Sequence, residues 1–213
     1  MNPLTDLRRE YASRALGEHD ADADPIRQFT IWFDEALKSQ LIDVNAMTLA
    51  TASATGEPSA RIVLLKGADE NGFVFYTNYD SAKGRDLAAN PRASLLFFWA
   101  ELERQVRING SVTKTTPAES DEYFHSRPKE SQIGAASSNQ SRPVPDRSHL
   151  EQRYAELAEK YKDSVVPRPA SWGGYRVRPD TIEFWQGRKS RLHDRLLYTR
   201  NADGSWSRSR LEP

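Results

Sequence analysis

The sequence predicts an α+β protein dominated by antiparallel strands: a β-barrel with helical attachments. Three observations carry that prediction. Apolar residues alternate with a period of two in short segments along most of the chain. Turn signals such as Thr55-Gly56, Asn71-Gly72 and Asp203-Gly204 separate those segments at close spacing. The helical stretches are inserted among strands rather than alternating with them, which argues against a doubly wound parallel sheet. There is no internal repeat.

The elements follow in order. Residues 1–23 are charged and weakly periodic and read as an arm, part helix and part loop. Residues 24–213 form the main domain. Asp24-Pro25 opens a helix, with a cap followed by proline at the first helical position. Ile26, Phe29, Phe33, Ala36 and Leu37 form its apolar stripe. Met47, Leu49 and Thr51 alternate along the first strand, and Ser59 to Lys66 is the next. Asn71-Gly72 turns into the strand Phe73 to Thr77. Ser81 caps a short helix ending at Asn90-Pro91. Ala93 to Trp99 and Leu102 to Val112 are a strand pair. Thr116 with Glu119, and Ser148 with Glu151, have the spacing of capping boxes. The Ser-, Gln- and Pro-rich stretch Ser131 to Arg147 reads as a loop between those helices. Strands return at Trp172 to Val177, Thr181 to Trp185, Leu192 to Arg200 and Ser205 to Leu211.

Composition removes whole classes of function. In 213 residues, 38% are hydrophobic and 28% charged, enough for a core and too apolar for general disorder. Thirty basic and thirty acidic residues give zero formal charge, which speaks against a nucleic-acid-coating protein. The absence of cysteine excludes a disulfide scaffold, a thiol nucleophile and Fe–S clusters, and fits the cytoplasm. No apolar run has membrane-spanning length, and the first residues are too polar for a signal peptide. Neither G-x-G-x-x-G nor a Walker loop occurs, no Ser lies in G-x-S-x-G, and His19, His125, His149 and His193 lack metal-ligand spacing. No metal is expected.

What remains is a set of cations beside hydroxyls and aromatics. Arg61 and Lys66 bracket an otherwise apolar strand, where a charge needs either water at the strand end or an anionic partner. Lys83 lies in the first turn of a helix, where free N–H groups and the dipole favour an anion, although a solvated lysine on a capped helix has the same pattern. Tyr123, Arg127 and Ser131 offer a phenol, a guanidinium and a hydroxyl around a helix end. Strand alternation would put Arg191, His193 and Arg195 on one face, either gathered around an anion or forming a basic, solvated edge.

Ile182-Glu183-Phe184-Trp185-Gln186, followed after four residues by Arg191-Leu192-His193-Asp194-Arg195, resembles the C-terminal signature of the pyridoxine (pyridoxamine) 5′-phosphate oxidase family without a departure. The resemblance extends through Leu7 to Tyr11, Arg61 to Lys66, Phe75 to Asn78, Glu103 to Val106, Tyr123 to Pro128, Ser131 to Gly134, Gln140-Ser141 and Trp172 to Gly174. One such block says little; all of them in order are specific.

The resemblance implies a split β-barrel that binds FMN at the interface of a homodimer. It places FMN on Arg61, Ile62, Val63, Leu64, Leu65, Lys66, Tyr76, Thr77, Lys83, Gln105, Gln140, Ser141, Trp185 and Arg195. It places a phosphorylated B6 vitamer on Lys66, Tyr123, Arg127 and Ser131, with Arg191, Leu192 and His193 against the ring. Arg191 and His193 are the implied catalytic pair, and Arg8, Arg9, Glu10 and Tyr11 the closing arm. The implied reaction oxidises pyridoxamine or pyridoxine 5′-phosphate to pyridoxal 5′-phosphate, with O2 as acceptor and release of H2O2, plus NH3 from the amine. One position departs: Ala82 stands where many members carry Arg. Strict alternation also sets Arg61 and Lys66 on opposite faces, so a bulge must re-aim one of them or they serve different parts of the site. A flavin reductase would not need the second phosphate cluster, and a non-catalytic flavin carrier would not need Arg191 and His193.

Overall fold

A computed structural model describes residues 14–213; the expected arm residues Arg8, Arg9, Glu10 and Tyr11 lie outside the described residues. The first helix, α1 (Pro25–Lys38), begins where the sequence places it, with the Asp24 side chain accepting the Ile26 N–H at 2.9 Å. Its buried stripe is Phe29, Trp32 and Ala36. Leu37, expected on that stripe, is 53% exposed, because the stripe runs through Trp32 instead.

Among the described residues nine antiparallel strands form one curled sheet, a half-barrel: β1 (Ala46–Ala52), β2 (Pro58–Leu64), β3 (Gly67–Asp69), β4 (Gly72–Asn78), β5 (Arg92–Trp99), β6 (Arg104–Lys114), β7 (Trp172–Gln186), β8 (Asp194–Arg200) and β9 (Trp206–Arg210). The order is β2-β1-β5-β6-β7-β4-β3. β7 is long enough to pair with β4 along its first half and β8 along its second. It is one strand where two were expected. A register shift between Asn109 and Gly110 lets β6 pass Pro179, which has no N–H to offer the ladder.

The strand expected over Ser59 to Lys66 stops at Leu64. The Leu65 N–H still bonds the Asn45 carbonyl, but the Lys66 N–H bonds that of Val74, so the chain changes partners and continues as β3. Gly72, at φ 128°, closes the β3–β4 hairpin.

The helices α2 (Ala82–Ala89), α3 (Pro117–Ser126), α4 (Lys129–Ser137) and α5 (Arg147–Lys160) lie outside this sheet ladder. The Thr116–Glu119 capping box forms as expected. Two other expectations are corrected. The stretch from Ser131 is not all loop, since α4 occupies it to Ser137. α5 is capped by Asp146, whose carboxylate takes the His149 N–H, and Ser148 donates to that carboxylate instead of capping.

The main core fills the space between α1 and the sheet, with Phe29, Phe73, Phe75, Phe97, Ile182, Phe184 and Leu196 all but sealed from solvent. A smaller one joins Phe124, Ile133, Val166 and Trp172. Among the described residues no helix is long and apolar enough to cross a membrane. The segment before α1 is fastened to the C-terminal hairpin. Leu16 is buried and its N–H donates to Asp194, while Arg210 grips Glu18 through Nε and Nη2 at 2.7 and 2.8 Å.

Candidate functional site

The candidate residues gather into three groups. The first lies where β2, β4 and α2 meet. The side chain of Ser81, the cap of α2, accepts the Gly84 N–H. This turns Lys83 inward, and it is only 8% exposed. Its amine donates to Gln140 Oε1 at 3.0 Å and Thr77 Oγ1 at 3.2 Å, both neutral. Burial, then the nearby Arg61 charge, pushes its pKa down. Arg61 donates to Thr51 Oγ1 at 2.7 Å and faces Asp86 at 3.7 Å. Ser141, next to Gln140, holds φ 67°, a left-handed turn that an L-residue adopts at some cost. Ala82 is half-buried, and Arg85 donates to the Asp80 carbonyl at 2.5 Å.

The second group adjoins the first through β4. Tyr76 stacks on Tyr123 with ring centres 3.9 Å apart and on Trp172 at 5.6 Å. Gly174 makes room for this: a Cβ there would come within 2.8 Å of Tyr76 Cε1 and 2.5 Å of Thr115 Oγ1. The Arg127 guanidinium lies over the Trp172 ring at 4.9 Å. Its Nη1 is buried without a hydrogen-bond partner among the described residues, and burial lowers its pKa. Gln132 fixes the backbone at that point, donating to the Arg127 carbonyl at 2.8 Å. Lys66 is exposed with its amine 6.0 Å from the Tyr123 ring centre, and Ser131 sits in the first turn of α4. The tension between Arg61 and Lys66 is thereby resolved: they serve different groups. Between them Ile62 and Leu64 turn outward, Val63 packs partly on the core and Leu65 is buried.

The third group sits at the far end of β7. Gln105, Trp185 and Arg195 are successive partners across β6, β7 and β8. His193 lies 4.7 Å from Trp185, centre to centre. The expected shared strand face of Arg191, His193 and Arg195 is not found, because β8 starts only at Asp194. Arg191 lies in a 3-10 turn with φ 61°, directly after Ser190 at φ 57°. Two consecutive left-handed side-chain-bearing residues cost on the order of 1 kcal/mol each. Leu192 is exposed. The Arg188 N–H donates to His193 Nδ1 at 3.1 Å, which leaves the ring proton on Nε2. Burial, and then Arg191, holds the His193 pKa below the usual histidine value, with Asp194 opposing.

Sequence reasoning passed over Glu183. It is 3% exposed and accepts from Arg195 Nε at 2.8 Å and from Arg107. The signal was available: a carboxylate inside a core-like strand needs a partner as much as Arg61 does.

The first two groups lie at the Gly173 end of β7 and the third at the Trp185 end, roughly 40 Å of strand apart at ~3.3 Å per residue. The outer face of β1, β2 and β5 meanwhile exposes Ile62 and Phe98, which line a cavity of about 310 Å³ with Ile42 and Leu96.

Residues 33–161 match the family model described as pyridoxamine 5′-phosphate oxidase, and residues 172–213 the one described as pyridoxine 5′-phosphate oxidase C-terminal dimerisation region. Proteins named pyridoxine/pyridoxamine 5′-phosphate oxidase from Rubrobacter xylanophilus and Ralstonia pickettii are each 59% identical. The first alignment covers 99% of this chain and 96% of the relative, the second all of both. The solved structure of PhzG from Burkholderia lata, in complex with tetrahydrophenazine-1-carboxylic acid, superposes with a TM-score of 0.89 at 31% identity, over 95% of this chain and 99% of that one. A pyridoxamine 5′-phosphate oxidase-related, FMN-binding protein from Nostoc punctiforme shares the fold, with a TM-score of 0.72 at 18% identity, over 90% of this chain and 100% of that one.

Proposed function

The chain belongs to the pyridoxamine 5′-phosphate oxidase family, and on that premise we propose that it oxidises pyridoxamine or pyridoxine 5′-phosphate to pyridoxal 5′-phosphate, using FMN and O2. The observation that carries the substrate class is Arg127. A guanidinium nitrogen buried without a hydrogen-bond partner among the described residues, beside Tyr123, whose ring centre lies 6.0 Å from the Lys66 amine, fits a phosphate.

The residues also suit FMN. Lys83 is buried against neutral acceptors alone, Arg61 stands beside it, and Thr77, Gln140 and the Ser141 turn complete a cradle for a second phosphate. Trp185, Gln105 and Arg195 offer a flat ring and polar groups for an isoalloxazine. Held by these residues, FMN would supply the two-electron redox chemistry that the oxidation of C4′ needs, with O2 as the final acceptor and H2O2 as its product. The protein's part is orientation and charge. Arg127, Tyr123, Lys66 and Ser131 hold the substrate phosphate. The Arg191 guanidinium stabilises charge beside the ring. His193, neutral with its proton on Nε2, is placed to donate a hydrogen bond to a ring substituent. Water completes the amine reaction, with NH3 as the second product.

We further propose that two copies share each site. The chain carries the family's dimerisation region, the two ends of β7 hold complementary halves, and the exposed Ile62 and Phe98 face is suited to burial. We place the enzyme in the cytoplasm, because phosphorylated substrates do not cross membranes unaided.

The test is the visible spectrum of the purified protein. Flavin bands that bleach anaerobically with pyridoxamine 5′-phosphate, and peroxide release in air, are the expected result. Flavin bands bleached only by a tricyclic carboxylate of the kind bound in PhzG would move the substrate assignment away from phosphate.

A further inference from the structure

We infer that Gln186 and Arg104 are positioning residues that aim Gln105 and Trp185 at the flavin, without touching it themselves. The inference rests on the proposed placement of FMN against those two side chains.

Arg104 is the first residue of β6 and Gln186 the last of β7, and they are register partners. The next rung is Gln105 with Trp185. Gln186 is completely buried, and its carboxamide is fully engaged. Oε1 accepts from Arg104 Nε at 3.0 Å, and Nε2 donates to the carbonyls of Leu102 and Glu103, both at 3.1 Å. Glu103 has left-handed backbone, φ 55° and ψ 39°, and its carbonyl also takes the Gly187 N–H at 2.7 Å. Arg104 continues the network into α1, with Nη1 on Glu35 at 2.6 Å and the guanidinium over the Trp32 ring at 4.3 Å.

This network clamps the Arg104–Gln186 end of the β6–β7 ladder. The side-chain period of a strand is two, so a slip of one residue there would send Gln105 inward and core-facing Val106 outward. Buried ionic groups add little net stability over apolar groups of the same shape, and their best-attested use is to specify a register. Here the register they specify is the one that presents two proposed flavin contacts.

The experiment compares the wild-type holoenzyme with Gln186→Met, Arg104→Lys and the double variant Arg104→Met/Gln186→Met. FMN affinity is read by flavin fluorescence titration, the flavin environment by visible circular dichroism, and stability by thermal unfolding. The double variant removes both partners of the Arg104–Gln186 hydrogen bond, while Glu35 keeps Arg14 at 2.6 Å and the Glu103 carbonyl keeps the Gly187 N–H, so it is a milder change than Gln186→Met, which strands the buried Arg104 Nε. Expected are an FMN affinity at least tenfold weaker and an altered dichroic spectrum in the double variant, with a melting temperature close to wild type. Arg104→Lys keeps the charge opposite Glu35 but lacks the fork, and does not restore the spectrum. Ile182→Val, a core change on the same strand, lowers stability without altering it. Wild-type affinity and spectrum in the double variant would overturn the positioning role. A wild-type protein that takes up no FMN would instead overturn the cofactor reading, and this inference with it.

Discussion

Replacing Arg127 with alanine separates a substrate contact from a structural helix end. Nη1 has no partner among the described residues, so the substitution breaks no internal hydrogen bond from that atom. Removing an unpaired buried donor relieves a desolvation cost of ~1–3 kcal/mol. Losing the guanidinium over Trp172 forfeits ~0.5–2 kcal/mol of cation–π attraction. The two nearly cancel, so thermal stability should change by less than about 1 kcal/mol. Binding behaves differently. A charge-assisted contact to phosphate contributes ~1.5–3 kcal/mol, and about 1.4 kcal/mol is tenfold, so KM should rise roughly 10- to 150-fold. The phosphate is remote from C4′ and held equally in ground and transition states, so kcat should change little. The assay is peroxide release at varied pyridoxine 5′-phosphate, repeated with unphosphorylated pyridoxine, on which variant and wild type should agree. An unchanged KM for the phosphorylated substrate, or a loss of stability without a change in KM, would refute the assignment.

Arg191→Ala should lower kcat by on the order of 10²-fold while FMN content stays near normal; loss of FMN would show that the side chain holds cofactor instead. His193 has a folded pKa below its unfolded value of 6.5, so its contribution to stability is present above that value and falls away as pH drops beneath it. Activity should share this acid limb, and His193→Asn should abolish it; a profile of unchanged shape assigns the limb to another group. Lys83→Met and Arg195→Met, each inactive alone, should regain about a quarter of wild-type activity when co-expressed, because half the dimers then carry one intact site; no recovery argues against a shared site. Arg85 is held on the Asp80 carbonyl, so Arg85→Ala should leave FMN affinity unchanged, whereas Ala82→Arg should tighten it by up to roughly 1.5–3 kcal/mol before solvent screening. Weaker FMN binding by Arg85→Ala, titrated at two salt concentrations, would show that this side chain reaches the phosphate after all.

The strands and α1 were legible because their signals are local: alternation at Met47, Leu49 and Thr51, the Asp24-Pro25 cap, and Asn71-Gly72 at a hairpin. Misreadings arose where a tertiary partner overrode a local pattern. The chain leaves β1 for β4 at Lys66, and nothing in Arg61 to Lys66 announces a change of neighbour. Trp172 to Val177 and Thr181 to Trp185 read as two strands, but β7 runs through, with Asp180 left over where the register with β6 shifts. The alternation of Arg191, His193 and Arg195 was real in sequence and absent in space, because left-handed residues precede the strand. Ser148 lost its capping role to Asp146, whose carboxylate takes the His149 N–H and starts the helix two residues earlier.

Charge inside apolar segments was the most informative cue, and the structure sharpens it. Most of the half-buried or buried cations have a carboxylate of their own. Arg104 has Glu35 at 2.6 Å, Arg168 has Asp121 at 2.6 Å, Arg176 has Asp69 and Glu119, Arg195 has Glu183, and Arg61 has Asp86 at a looser 3.7 Å. Among the described residues, half-buried Lys129, Arg153 and Arg200 also lack one, but Lys83 and Arg127 stand apart: Lys83 is 8% exposed and meets only neutral oxygens, and the buried Arg127 Nη1 meets nothing. A fold stable without ligand has no reason to bury two cations this way, since each costs more than an apolar replacement would. The two lie on either side of β4, Lys83 beside Thr77 and Arg127 beside the Tyr76, Tyr123 and Trp172 stack. Two separate unpaired cations call for two separate anions. An enzyme whose cofactor and substrate each carry one phosphate meets that requirement, and a flavin reductase acting on an unphosphorylated ring would leave Arg127 unexplained.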